Sequence, residues 1–461
     1  MLSATAIIVI VLWLLAFVAA MGFKRSPDAL CVGMIGGYLF LPQFKAEFPG
    51  FELNKLRLIS LTTAALVLLV SRRKRHDYRF SMVDLPMLGL PAAALAASID
   101  NGLGLYDGFV VWLGYSVEWS LPWFVGRLVF ATSENANILV RYTIMGGLAY
   151  IPFCVYEMKM APTLHTIIFG YGARGGDSLR GIGMRFGLWR PNVFTQTGLE
   201  LALFIGICSL LALWYNRTHG QRDFGAVSTG VAAGALGVTT VFCVSTGAII
   251  LTAIGWLTIL ASRLKIARVL ILALAVLPVA YPVLRMTNPG QVVVEQETEN
   301  SEFAARIASL RTRIVSEDRF LEHWKTQPLL GWTSRYYLDT AQEAIPDSLW
   351  IQILCKFGLA GWSCLTIGLL LPILQVYRGG LNAEDKNSSH AILAFCALLF
   401  LLDCMVNAME NPLYVVMAGA AAIAVRDHRL RNAPQDVAEV APPRVPPRQL
   451  WPSSTRQLQT H

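Results

Sequence analysis

LSATAIIVIVLWLLAFVAAM, residues 2–21, carries no charged side chain. About 20 apolar residues cross the hydrocarbon core of a bilayer as a helix, so this stretch reads as a membrane-crossing helix. No basic segment precedes it, and it is long for the core of a signal peptide. The VAA at its end resembles a weak cleavage site, but the run reads as a retained helix. The same pattern recurs along the chain. Of the 461 residues, 55% are hydrophobic and 15% are charged, against about 25% charged in ordinary soluble domains. Mean hydropathy is +0.51. The sequence therefore predicts an all-α polytopic integral membrane protein.

About thirteen apolar runs are long enough to serve as spans. They lie near 3–21, 28–42, 57–71, 82–99, 104–132, 137–156, 194–215, 225–243, 246–261, 268–284, 349–377, 390–407 and 412–426. The fifth is interrupted by SLPWF, where Pro122 is expected to break one helix into two, so twelve to thirteen transmembrane helices are expected. SRRKRHDYR (71–79) is the most basic short loop, which places it in the cytoplasm by the positive-inside rule. GFKR (22–25), NRTHGQR (216–222), SRLKIAR (262–268) and RGGLNAEDK (378–386) fall on the same side when the spans alternate. The N-terminus is then outside and the C-terminus inside. The net charge of +8 follows this loop bias and implies no nucleic-acid partner.

Residues 1–426 thus form one membrane domain, with two longer outer segments at 157–193 and 285–348. Residues 427–461 form a Pro-rich, basic cytoplasmic tail whose composition predicts disorder. In 301–325, Phe303, Ile307, Leu310, Ile314 and Leu321 recur at helical spacing. They predict an amphipathic helix lying on the membrane and ending before Pro328. Arg306 and Arg313 share a face of it, and Arg313 and Glu317 are an i,i+4 pair.

The chain has no phosphate-binding glycine loop of Walker type and no His/Cys cluster with metal spacing. Its eight cysteines all lie in or beside apolar runs, so neither a disulfide framework nor a zinc site is expected. Only His165 and His323, of seven histidines, fall outside. Arginines and carboxylates remain as the chemistry of the outer face. The guanidinium is a planar, permanently charged fork suited to phosphate oxygens. MRFGLWRPNVF (184–194) sets Arg185 and Arg190 at the mouth of an apolar segment. The plainer reading pairs each arginine with a nearby acid or with lipid headgroups. Asp347, in IPDSLWIQIL, stands where the outer chain re-enters the membrane; it suits a general base, or the cap of the helix that follows, shared with Ser348. Asp403, Asn407 and Glu410 share one helical face, and an ionisable residue in a span is costly, so Asp403 is expected to face the bundle interior. Arg127 and Arg141, near span ends, read as snorkelling residues.

Arg313 followed by PLLGW (Pro328, Gly331, Trp332), KFGLAGW (Gly358, Gly361) and RFGLWRPNVFTQTG together resemble the O-antigen ligase and O-antigen polymerase superfamily, nearest its exopolysaccharide polymerase-like branch. The similarity spans roughly residues 120–415. Where ligases of that superfamily carry a histidine, this chain has Asp347-Ser348. The resemblance implies a C-type glycosyltransferase that needs no metal or cofactor. It would draw glycan from an undecaprenyl-pyrophosphate carrier at the periplasmic face of the bacterial inner membrane. Asp347 would be the base, Arg190 and Arg313 the catalytic arginines, and Arg185, Arg306, Glu317, Arg335 and Asp403 would hold substrate. Membrane lipid, and chain-length regulator or export proteins, are the implied partners. Polymerase, ligase and lipid-linked glycan transporter remain the three readings.

Overall fold

The computed structural model describes residues 2–24, 26–70, 80–173, 184, 187–220, 223–224, 227–262, 264–287, 316–334, 347–377 and 388–422. These residues all belong to one compact unit, 1–425. The tail expected to be disordered lies outside them.

The unit is helical. It begins with α1 (Ala4–Phe23), α2 (Ser26–Phe40), a hairpin of β1 (Lys45–Phe48) and β2 (Phe51–Asn54), α3 (Lys55–Val70) and α4 (Leu85–Asp100). Next come α5 (Gly104–Tyr115), α6 (Leu121–Val129), α7 (Ser133–Met160), the short α8 (Leu164–Phe169) and α9 (Gly198–His219). After a second hairpin, β3 (Asp223–Phe224) and β4 (Val227–Ser228), follow α10 (Thr229–Phe242), α11 (Thr246–Leu260) and α12 (Lys265–Thr287). A helix over 316–324, α13 here, precedes α14 (Leu349–Tyr377), α15 (Ser388–Asp403) and α16 (Pro412–Ala421). Over its described residues, each apolar run read from the sequence is mainly helical. Five of these helices are long and apolar enough to cross a membrane: α1, α7, α9, most of α12 and most of α14.

Local chemistry sets many of the helix starts. Ser3 and Thr132 accept N–H bonds from Ala6 and Asn135, and Asn411 accepts from Leu413 with Pro412 in the first turn. Burial then sorts the helices. In α9, 89% of the apolar window is buried, against 11% in α1. The central position therefore goes to α9, while α1 presents Ile8, Leu12 and Leu15 outward, as a lipid-facing helix does.

The interrupted fifth run does not split at Pro122. The backbone continues from α5 into α6 through one π-helical turn, Ser116–Ser120, in which the Leu121 N–H bonds to the Ser116 carbonyl. Proline lacks an N–H and crowds the carbonyl one turn back; the wider π turn accommodates that crowding without ending the helix. Helices α6 and α16 then meet backbone to backbone. Any Cβ at Gly126 would overlap the Val416 carbonyl, and any Cβ at Gly419 the Trp123 carbonyl. Small residues permit such close crossings in membranes.

Arg127 does not snorkel. It is 8% exposed and forks onto Asp84, with Nε to Oδ1 at 2.8 Å and Nη2 to Oδ2 at 3.1 Å. Trp123 Nε1 adds a bond to the same carboxylate at 3.1 Å. Removing one partner of such a pair leaves a buried charge unmet. Asp84→Ala is expected to cost about 3–5 kcal/mol, read as a clear fall in thermal inactivation temperature in detergent. An unchanged temperature would show the pair to be dispensable.

Over its described length, helix α13 packs against the chain's own helices. Phe320, Leu321 and Trp324 are buried against Ile351, Leu354 and Cys355 of α14, and Glu317 meets Tyr281 and Arg285 of α12. Of the predicted apolar stripe, Leu321 is the described member, and it is buried in this contact. Phe303, Arg306, Ile307, Leu310, Arg313 and Ile314 lie outside the described residues.

Candidate functional site

The segment after α8 approaches the start of α9 through RPNVFTQTG. Glu157, near the end of α7, is fully buried. Its carboxylate accepts N–H bonds from Leu164 at 3.0 Å, Asn192 at 2.9 Å and Val193 at 2.7 Å. The Phe194 N–H goes to Tyr150 Oη at 3.0 Å. The Phe194 carbonyl receives Lys55 Nζ at 2.8 Å and Gln43 Nε2 at 2.9 Å. Val193 takes a φ of +48°, a left-handed conformation that β-branched residues rarely adopt. Thr197 caps α9 by accepting the Glu200 N–H, while Glu200 reaches back to the Gln196 N–H and to Asn411 Nδ2. This is close to a capping box.

His165 belongs to the same scaffold. Burial holds its imidazole below the usual histidine value, so it is neutral near pH 7. Its Nδ1 lies 2.7 Å from the Tyr171 carbonyl and must donate, and its Nε2 accepts the Gln43 N–H at 2.9 Å.

Arg190 leaves this clamped loop half-buried. A Cβ at Gly198 would stand 2.5 Å from its Cγ, so the glycine clears the path of the side chain over the start of α9. Nη2 donates to the Val244 carbonyl at 3.1 Å. Val244 has a φ of +53° and lies in the tight turn between α10 and α11. Three residues on, Gly247 faces Asp403, whose Oδ1 is 3.6 Å from where a Cβ at Gly247 would lie. Asp403 is 3% exposed. The next residue, Cys404, accepts the Leu349 N–H at 3.0 Å. That bond brings the start of α14, with Asp347 and Ser348, to the same end of the bundle. Ser348 Oγ accepts from Ile351 N–H at 3.5 Å, so the capping role falls to Ser348.

A second charged group joins α3 to the π turn. Arg57 Nε meets Glu118 Oε1 at 2.7 Å, and Glu118 sits in the π turn. Helix α14 has a break where Phe357 and Gly358 leave helical geometry. Tyr115 packs edge-on against Phe357 with ring centres 4.6 Å apart. Lys356, beside the break, donates to Gln352 at 3.2 Å. The break is filled by the PLLGW turn. Leu359 N–H bonds to the Pro328 carbonyl, Ala360 N–H to the Leu329 carbonyl, and Trp332 N–H to the Cys355 carbonyl. Gly331 and Gly358 have φ of +70° and +61°, and their Cα atoms press on the opposing backbones. The two glycine motifs seen separately in the sequence are two halves of one joint.

Of the predicted site residues, Arg190, Asp403 and Asp347 come to one end of the bundle. Glu317 lies apart from them, in the contact between α13 and α12. It is 3% exposed and occupied by Tyr281 Oη at 2.7 Å and Arg285 Nε at 3.0 Å, tying α13 to α12. Arg185, Arg306, Arg313 and Arg335 lie outside the described residues. Sequence reading missed Lys55, Glu200, Arg57, Glu118 and Lys356. Their signal was present: each is a charge inside or at the edge of an apolar run, where an ionisable residue is costly unless it has a purpose.

Chemically, the end of the bundle offers an arginine fork for an anion and two carboxylates that can accept a proton. Among the described residues, no three His, Cys, Asp or Glu side chains are grouped to hold a metal ion. The chain matches no protein-family model and no curated protein.

Proposed function

We propose that the chain is a multi-pass glycosyltransferase of the bacterial inner membrane that joins undecaprenyl-pyrophosphate-linked repeat units into surface polysaccharide at the periplasmic face. The observation that carries this reading is Arg190, delivered by an over-bonded loop to the end of an apolar helix bundle, with Asp403 and Asp347 at that same end. A lipid-linked pyrophosphate combines a long apolar tail with a strongly anionic head. Apolar helices ending in an arginine fork fit both parts. The positive-inside bias of the short basic loops puts the Arg190 end outside.

In the reaction, a hydroxyl oxygen of the acceptor sugar bonds to the anomeric carbon of the donor. The bond from that carbon to the pyrophosphate oxygen breaks, and its electron pair leaves with undecaprenyl pyrophosphate. Asp347 takes the hydroxyl proton. Arg190 stabilises charge on the departing pyrophosphate, with Arg313, Arg185, Arg306 and Arg335 completing the clamp. The divergent position Asp347-Ser348 favours polymerase over ligase.

One observation favours a second reading, transport of the lipid-linked glycan. Glu118, in the π turn, and Lys356, beside the break in α14, place charge within helices rather than at their tips, as a transport pathway does. The test is the fate of lipid-linked glycan in cells lacking the chain. Single repeat units accumulating on the carrier, with no long chains, are expected. Long chains stranded on the carrier would make it a ligase. Units held in the cytoplasmic leaflet would make it a transporter.

A further inference from the structure

Two buried charges of opposite sign grip the loop behind Arg190, and they meet its peptide groups rather than each other. Glu157 is 0% exposed and Lys55 1%. Among the described residues, neither belongs to an ion pair. The carboxylate is stabilised by the N–H groups of Asn192 and Val193, and the ammonium by the carbonyl of Phe194. Burying a charge without compensation is very costly, and the loop's peptide groups supply much of that compensation, beside the Leu164 N–H for Glu157 and the nearby Glu200 carboxylate for Lys55. Conversely, the loop keeps a left-handed Val193 because these bonds over-determine it. Helices α7 and α3 supply the charges, and Tyr150 and Gln43 add bonds to Phe194. An ordinary connection does not need so many ties. What this one delivers is Arg190, joined to the clamped residues by Pro191, whose ring fixes one backbone angle.

We infer that Glu157 and Lys55 are positioning residues: acting through residues 192–194, they fix the Arg190 guanidinium where the anionic head of the donor binds. This rests on the function proposed above and extends it to two charges that touch no substrate.

The test uses full-length protein in nanodiscs and in complemented cells. Glu157→Gln removes the charge and leaves one acceptor oxygen for three N–H groups, and Lys55→Met removes the donor while keeping the bulk. Hydrogen exchange at the 192–194 amides is expected to rise about tenfold or more in both, the equivalent of losing one or more buried hydrogen bonds, with exchange in α9 unchanged. Polymer output should fall to the level of Arg190→Ala. Adding Glu157→Gln to Arg190→Ala should lower it no further, because both act through one group. Lys55→Arg should retain protection. Tyr150→Phe, which deletes the bond from the Phe194 N–H and the bond to the Leu39 carbonyl and little volume, serves if the charge variants fail to accumulate; it should raise exchange at Phe194 and lower output in part. Unchanged exchange, or effects of Glu157→Gln and Arg190→Ala that multiply, would overturn the inference. If Arg190→Ala leaves the polymer intact while exchange rises in Glu157→Gln, the positioning of the loop stands and the glycosyltransferase reading falls.

Discussion

Polymer output is expected to fall about 10²-fold when Arg190 is replaced by lysine, at matched protein level. Charge is retained in this variant, so the loss isolates geometry. Arginine offers a flat fork that binds two phosphate oxygens together and still bonds the Val244 carbonyl with Nη2. Lysine offers a single point of charge on a flexible stem, and its ammonium cannot span the same two oxygens. Arg190→Ala should be at least as severe. The measurement is chain-length distribution and total polymer per unit of protein in a deletion strain carrying each variant. Full output from Arg190→Lys would end the clamp hypothesis, whatever the role of the other arginines.

The second large effect is structural. Gly358→Ala is expected to destabilise the protein by about 3–5 kcal/mol, combining a left-handed residue with lost backbone bonds. At a φ of +61°, any Cβ at this position would overlap the Leu329 carbonyl. The PLLGW turn would have to leave the break in α14, giving up the bonds from Leu359 and Ala360. Trp332, Lys356 and the packing of Tyr115 on Phe357 would be disturbed with it. Gly234→Ala in α10 is the control: a Cβ there meets nothing within 4 Å, and alanine is the better helix former. Detergent thermal inactivation should drop sharply for Gly358→Ala and hold or rise for Gly234→Ala. Equal behaviour of the two would show that the joint contributes nothing to stability.

Much of the fold was legible in the chain because hydropathy and helix length are local properties. The run at residues 2–21 and its successors become helices at nearly the positions read from sequence. The loops were legible only as interruptions. Pro122 marked a disturbance, but whether it broke the helix or widened it depended on packing against α16. Arg127 looked like a snorkelling residue because Asp84, its partner, is 43 positions away. The partners of Glu317, Tyr281 and Arg285, are likewise more than 30 positions away.

The candidate site divides the same way. Arg190, Asp347 and Asp403 were visible as polar residues at the edges of apolar runs. The convergence of Gln43, Lys55, Tyr150 and Glu157 on the Arg190 loop was not, because they come from separate stretches and act on backbone atoms that leave no mark in sequence.

By itself, then, the sequence determined a helical, membrane-type chain, the approximate bounds of its helices, and which ends carry arginine and acid. Those follow from burial energy per residue and from helix geometry, which need only neighbours in the chain. The tertiary structure alone decided which charge meets which peptide, that Gly331 and Gly358 form one joint, and that α9 lies at the centre while α1 faces outward. These are contacts between distant segments. Their energies depend on distances of a few ångströms that hydropathy and spacing do not encode.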